Sequence, residues 1–212
     1  MRWRVVAAAA LGAVLSGGSS GRADGLSRAE AVGLLRGETI LRGQTLDRAD
    51  RHYSGGVTYT IVDGRTDELR ALLFDLREWQ RFLPMARGAR LVGVRGGDPL
   101  VEITHEAGFF HTEYTMEIRR SGDTVRFWLD LSRPHDVEDA WGFFRAEPLG
   151  DGRTLVTYGI LIDLGPGLLH DWFEKRVRAL ALNVPQRVRG LMQERRRLAY
   201  DALAASGVRW PN

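Results

Sequence analysis

Cysteine is absent from this 212-residue chain, which excludes a disulfide framework, thiolate zinc ligands, a cysteine nucleophile and a lipidated N-terminal cysteine. Stability must then come from a packed core. Lysine occurs once, at Lys175, and it follows Glu174 instead of a glycine-rich loop, so a phosphate-cradling P-loop is excluded. Beyond residue 23 there is no G-x-S-x-G turn, and the chain has no G-x-G-x-x-G loop, so the standard hydrolase and dinucleotide signatures are missing from the folded part and no cofactor is implied. An apolar run of the roughly 20 residues that a membrane span needs is lacking as well. What is present is 44% hydrophobic and 27% charged residues, the profile of one folded domain.

The formal charge is +3, but Arg2, Arg4 and Arg22 lie in an N-terminal stretch without an acidic residue. Without residues 1–23 the chain carries 27 basic and 27 acidic residues. Phosphate binding needs a retained, clustered excess of Arg and Lys, so composition supports no nucleic-acid partner. Met1-Arg2-Trp3-Arg4, the apolar stretch Val5 to Leu15 and the small polar exit Ser16 to Ala23 have the layout of a secretory signal, with small Gly21 and Ala23 where a signal peptidase reads. The expectation is cleavage near Asp24 and export, to the periplasm as a soluble protein given the missing lipoprotein cysteine. An uncleaved anchor would leave the domain on the same side of the membrane.

Residues 26–36 repeat apolar positions at helical spacing, and the polar, Gly-broken stretch that follows reads as an irregular extension to residue 52. Val57 to Val62 alternates as a half-buried strand closed by Asp63-Gly64. Next comes a helix with Thr66 as N-cap and Leu69, Leu72, Leu73 and Leu76 on one face, then a short turn from Trp79 to Leu83 ended by Pro84. From Ala89 to Leu164 the period falls from 3.6 to 2. Strands are expected near 89–95, 100–107, 110–119, 124–132, 137–147 and 154–164, joined by turn-rich breaks into an antiparallel meander. After Gly165-Pro166-Gly167 the stripe Leu169, Phe173, Val177, Leu180, Val184, Val188, Leu191 predicts one long helix to about Tyr200, kinked but not ended at Pro185. Residues 201–212 are left as a tail.

This order of elements resembles the helix-grip fold of the START-like (SRPBCC) superfamily. The segment Leu76 to Pro84 is similar to the aromatic-x-x-Phe-Leu-Pro segment of its polyketide cyclase/dehydrase and coenzyme Q-binding group. Gly142-Phe143-Phe144, Gly150 to Val156 and Asn183-Val184-Pro185 add to the likeness, which covers residues 53–200. The resemblance implies an α+β fold: a curved antiparallel sheet of about seven strands wrapped on a long C-terminal helix, with two short helices after the first strand. It also implies an apolar cavity for a lipid, quinone, sterol or polyketide-like ligand, and it does not decide between carrier and enzyme.

Strand parity points to the cavity face without the family. Val101, Ile103, His105 and Ala107 face inward, as do Phe110, Thr112, Tyr114, Met116 and Ile118, and Val125, Phe127, Leu129 and Leu131. A Gly108-Phe109 turn pairs Ala107 with Phe110 and His105 with Thr112, so the first two sets agree. In the next strand Ala140, Gly142, Phe144 and Ala146 are placed inward, and three small residues there would leave volume for a ligand. Phe82, Tyr158, Phe173 and Val177 complete the expected lining. His105 is the one histidine assigned inward. With Tyr114 it forms a candidate acid-base pair for a cyclase/dehydratase-type enzyme, and the alternative is a structural histidine satisfied by Thr112 or a backbone group. No metal site is expected, because His111 and Glu113 both point outward and no cysteine completes a set. Residues 174–200 carry eight basic and two acidic side chains. These either pair with the acidic sheet surface or, with Leu168 and Trp172, form a lid that touches anionic membrane transiently. Three functional classes stay open: an exported binding protein for a hydrophobic small molecule, an enzyme, and a ligandless interaction module using Trp128, Trp141 and Phe143.

Overall fold

The computed structural model describes residues 25–107, 110–165 and 170–206, apart from the side chains of 107, 110 and 170–173. The expected leader, the Gly108-Phe109 turn, Leu168 and the last residues of the tail lie outside the described residues. The chain divides into one unit ending at Glu38 and another beginning at Thr39. The first contains α1 (Arg28–Leu35), started by a capping box in which Ser27 Oγ accepts from the Glu30 N–H and the Glu30 carboxylate accepts from the Ser27 N–H.

The second unit runs β1 (Ile40–Arg48), β2 (Arg51–Asp63), α2 (Thr66–Phe74), α3 (Leu76–Phe82), β3 (Ala86–Arg95), β4 (Asp98–Ala107), β5 (Phe110–Ser121), β6 (Thr124–Leu129), β7 (Asp139–Pro148), β8 (Arg153–Asp163), α4 (His170–Leu182) and α5 (Val184–Ala205). The strands form one antiparallel sheet in the order β1-β2-β8-β7-β6-β5-β4-β3. Two-residue turns join β3 to β4 and β5 to β6. In the first, Gly96 and Gly97 both have positive φ (60° and 92°), which suits a hairpin turn of right-handed twist. Helix α4 packs on β1, β2 and β8, and α5 packs on β2 and α3. Val62, Leu69, Leu72, Val101, Val156, Val184 and Val188 are fully buried where these layers meet.

Three expectations need correction. The sheet has eight strands, not about seven, because residues 40–48 are a strand and β2 starts at Arg51. As an edge strand, β1 is half buried on one face and exposed on the other, so Arg42, Gln44 and Gly43 fit where a central strand would need apolar residues. Its hairpin turn is Ala49-Asp50, with Ala49 at φ 55° where glycine is the usual signal. Next, the C-terminal helix is interrupted rather than bent: α4 ends at Leu182 and α5 starts at Val184, with Pro185 in its first turn. Pro185 has no N–H to continue the α4 ladder, so the break falls at Asn183, whose N–H bonds to the Leu180 carbonyl. Finally, β6 stops at Leu129, and Leu131 is exposed instead of inward. At the smaller scale, Thr66 is the first residue of α2 and its hydroxyl meets that of Thr154, while Arg65 is the N-cap.

The outer face of the sheet holds a charge network. Arg95 donates to Asp130 (2.7 and 2.9 Å) and Glu117 (3.0 Å), both carboxylates being almost completely buried. Burial alone would raise the Asp130 pKa. The hydrogen bonds from Arg95 and Ser132 override it and bring the group down to about 2. Trp128, Trp141 and Phe143 do face this side, half buried, with Arg119 over Trp128, Tyr53 edge-on to Trp141 and Arg145 near Phe143.

Candidate functional site

Inside the second unit the inner sheet face, α3 with the following Leu83-Pro84-Met85, and α4 to Val184 surround a cavity of about 170 Å³. Register explains which sheet residues meet there. Pairing of Ile103 with Tyr114 and of His105 with Thr112 sets β4 against β5 as parity anticipated, and pairing of Phe144 with Tyr158 does the same for β7 and β8. Phe127, Phe144 and Tyr158 form an aromatic wall, with ring centroids 4.4 Å apart for Phe144 and Tyr158 and 6.2 Å for Phe127 and Tyr158. Opposite them Val177, Leu180, Ala181 and Val184 come from the C-terminal helices.

The wall is almost wholly apolar, and its few polar atoms are specific. Trp79 Nε1 is consumed within the wall, donating to the Leu73 carbonyl at 2.9 Å. His105 Nδ1 lies 2.7 Å from the Pro84 carbonyl oxygen, which can only accept, so Nδ1 carries the proton. Nε2 is therefore the acceptor, and the Tyr114 hydroxyl donates to it at 2.7 Å, with the two rings stacked at 5.5 Å. Burial holds His105 below the ordinary histidine pKa, only partly offset by the Pro84 carbonyl, and burial pushes the Tyr114 phenol up. The Tyr158 phenol is likewise raised by burial, with the nearby Tyr114 adding to the shift. Both partners are thus neutral at pH 7. Thr112 and Tyr158 supply the remaining hydroxyls, and no charged side chain lines the cavity among the described residues. Met85, in the left-handed region at φ 58°, forms the corner that presents the Pro84 carbonyl to His105 and whose own carbonyl accepts from the Glu106 N–H.

Of the lining expected from sequence, Phe82, Ile103, His105, Thr112, Tyr114, Met116, Phe127, Phe144, Tyr158 and Val177 border the cavity. The side chains of Phe110 and Phe173 lie outside the described residues. Leu129 is buried in the core away from the cavity. Gly142 is a correction: a Cβ there would meet the Gly159 carbonyl oxygen and lie 2.6 Å from Phe127 Cζ, so its missing side chain makes room for a ring and not for a ligand. Ala146 is core too, and of the three small residues only Ala140 borders the open volume. The histidine's backbone partner, anticipated as the structural alternative, is the Pro84 carbonyl. Missed were Trp79 on α3, Leu83, Pro84 and Met85, whose placement depends on the loop after it, and Ile160 and Ile162, which period-2 spacing from Tyr158 could have found.

No protein-family model matches the sequence, and no curated protein matches it. Solved structures do. A START superfamily protein from Mycobacterium smegmatis superposes with a TM-score of 0.55 at 13% identity, covering 65% of this chain and 96% of that one. The STAR-related lipid transfer protein from Xanthomonas axonopodis gives 0.54 at 14% identity over 71% of this chain and 98% of its own. The Zhui aromatase/cyclase from Streptomyces sp. R1128 gives 0.53 at 14% over 76% and 98%. At this level of identity the likeness is one of architecture, and with the eight-stranded sheet and its C-terminal helices it identifies the chain as having the START-like helix-grip fold.

Proposed function

We propose that this protein is an exported binding protein that holds a hydrophobic small molecule, of lipid, quinone or isoprenoid type, in the cavity and shields it from water during transfer or sensing. The cavity itself is the observation that carries this reading. Protein interiors are close-packed, and at about 24 cal/mol per Å³ an empty 170 Å³ apolar volume costs on the order of 4 kcal/mol, a large part of a domain's stability. A lining with so few polar atoms favours apolar cargo over water. That one structural neighbour is named a lipid transfer protein and another an aromatase/cyclase fits a site for apolar molecules. Organic extraction and mass spectrometry of protein purified from its own host should return a near-stoichiometric apolar compound, and a clean extract would count against a carrier. Intact mass of the same sample tests export, with a chain beginning near Asp24 as the expected product.

The His105–Tyr114 hydrogen bond supports a second reading, an enzyme of cyclase/dehydratase type. Tyr114 oxygen could accept a substrate proton as its own proton passes to His105 Nε2. His105→Ala separates the two readings: a carrier keeps most of its affinity, whereas an enzyme loses about 10²-fold or more in turnover. Membrane contact through the C-terminal helices is a further proposal. Many of the basic side chains of α5 are already engaged, Arg195 with Glu78 and Asp75 and Arg196 with Glu68. Binding that rises with anionic lipid and falls with salt in liposome co-sedimentation supports the contact, and equal binding to neutral vesicles rejects it.

A further inference from the structure

The polar atoms of the cavity say more about its cargo than the apolar ones. Tyr158 and Thr112 are 3% and 5% exposed and line the cavity, and among the described residues neither hydroxyl has a hydrogen-bond partner. Buried hydroxyls are normally satisfied, so two beside the same open volume mark a place where a ligand supplies the missing partner. Tyr158 is also fixed in position: its ring stacks on Phe127 and packs at a tilt against Phe144, on a central strand paired on both sides. The third polar group is already half used. Because Pro84 holds the proton on His105 Nδ1, the Tyr114 O–H is committed to Nε2 and only the lone pairs of its oxygen remain available.

Two free hydroxyls can donate, one phenolic oxygen can accept, and no Arg or Lys lines the cavity among the described residues. That set suits a neutral oxygen. An ionised carboxylate would leave water for an apolar wall without a counter-charge, a transfer far costlier than that of a carbonyl or hydroxyl. We propose that the cargo is an uncharged, oxygen-bearing apolar compound of the ketone, alcohol or quinone class, with its oxygen held by Tyr158 and Thr112, and that ionised fatty acids are discriminated against. This rests on the reading that the cavity holds a hydrophobic ligand and adds the chemistry of its head.

Displacement of Nile red by 2-undecanone, 1-decanol, decanoate and undecane tests it. At pH 8 the ketone and the alcohol should bind at least about tenfold tighter than decanoate, and the gap should narrow toward pH 5 as the acid becomes neutral. Tyr158→Phe keeps the ring, removes an unpartnered hydroxyl and should leave the melting temperature of the ligand-free protein unchanged or raised. It should weaken the ketone about fivefold while leaving undecane unchanged, with Thr112→Val acting in the same direction. Decanoate binding as tightly as the ketone at pH 8, or a Tyr158→Phe loss equal for ketone and undecane, would overturn the inference and leave the hydrophobic-ligand reading standing. Displacement by none of the four would overturn both.

Discussion

Positions 140 and 142 stand two apart on β7, share its inner face and carry the smallest side chains, yet they should respond oppositely to enlargement. At Gly142 a single added methyl meets two obstacles. One is the Gly159 carbonyl oxygen of β8, part of a central ladder that cannot move without breaking its register. The other is Phe127 Cζ at 2.6 Å, on a ring already packed against Phe144 and Tyr158. Gly142→Ala should therefore cost about 1–3 kcal/mol as overpacking, which for a domain of this size lowers the melting temperature by about 2–12 °C. Ala140→Leu instead extends three carbons beside the open volume. At about 0.8 kcal/mol per buried methylene, it should be neutral or stabilising by up to about 2 kcal/mol, while abolishing Nile red binding. Urea unfolding and dye titration of both variants read the contrast directly. If Gly142→Ala unfolds like the parent, or if Ala140→Leu costs as much as Gly142→Ala, then the open volume does not lie where the register places it.

Ala49→Gly should raise the urea midpoint by an amount equivalent to about 0.5–1 kcal/mol without changing the slope, since Ala49 occupies the left-handed region (φ 55°) in the β1–β2 turn; an unchanged midpoint would count against that turn. Acid should remove stability between about pH 4 and pH 2. Asp130 is held at about 2 in the folded state, so its contribution, on the order of 2 kcal/mol, is complete above the unfolded carboxyl pKa and is lost as pH falls through the folded one. Asp130→Asn should flatten that limb of a stability-against-pH curve. The His105 pKa is lowered on folding, so the unfolded chain binds the extra proton first, and stability should decline as pH drops below about 6.5. His105→Gln should remove this decline, and persistence of the same slope would assign it to another group.

What could be read from the residues, and what could not, divides along physical lines. The inward faces of β4 and β5 follow from period 2 plus one hairpin register, both local properties, and the pairs His105–Thr112 and Ala107–Phe110 are as parity requires. β1 escaped notice because an edge strand has no obligation to alternate strongly and because Ala49-Asp50 lacks the glycine that signals such a turn. Gly142 was misjudged for a different reason. Sequence shows that a side chain is missing but not which neighbour fills the gap, and here the cross-strand partner, Phe127, does so from directly opposite. The chemistry of His105 was the least accessible of all. Its tautomer is set by a carbonyl 21 positions away, presented by a loop whose Met85 adopts a conformation that its residue type disfavours. The apolar envelope of the cavity is thus a local consequence of strand period. The orientation of its polar groups depends on the Leu83-Pro84-Met85 turn, and that turn is where substitution should alter proton placement at His105 without emptying or filling the cavity.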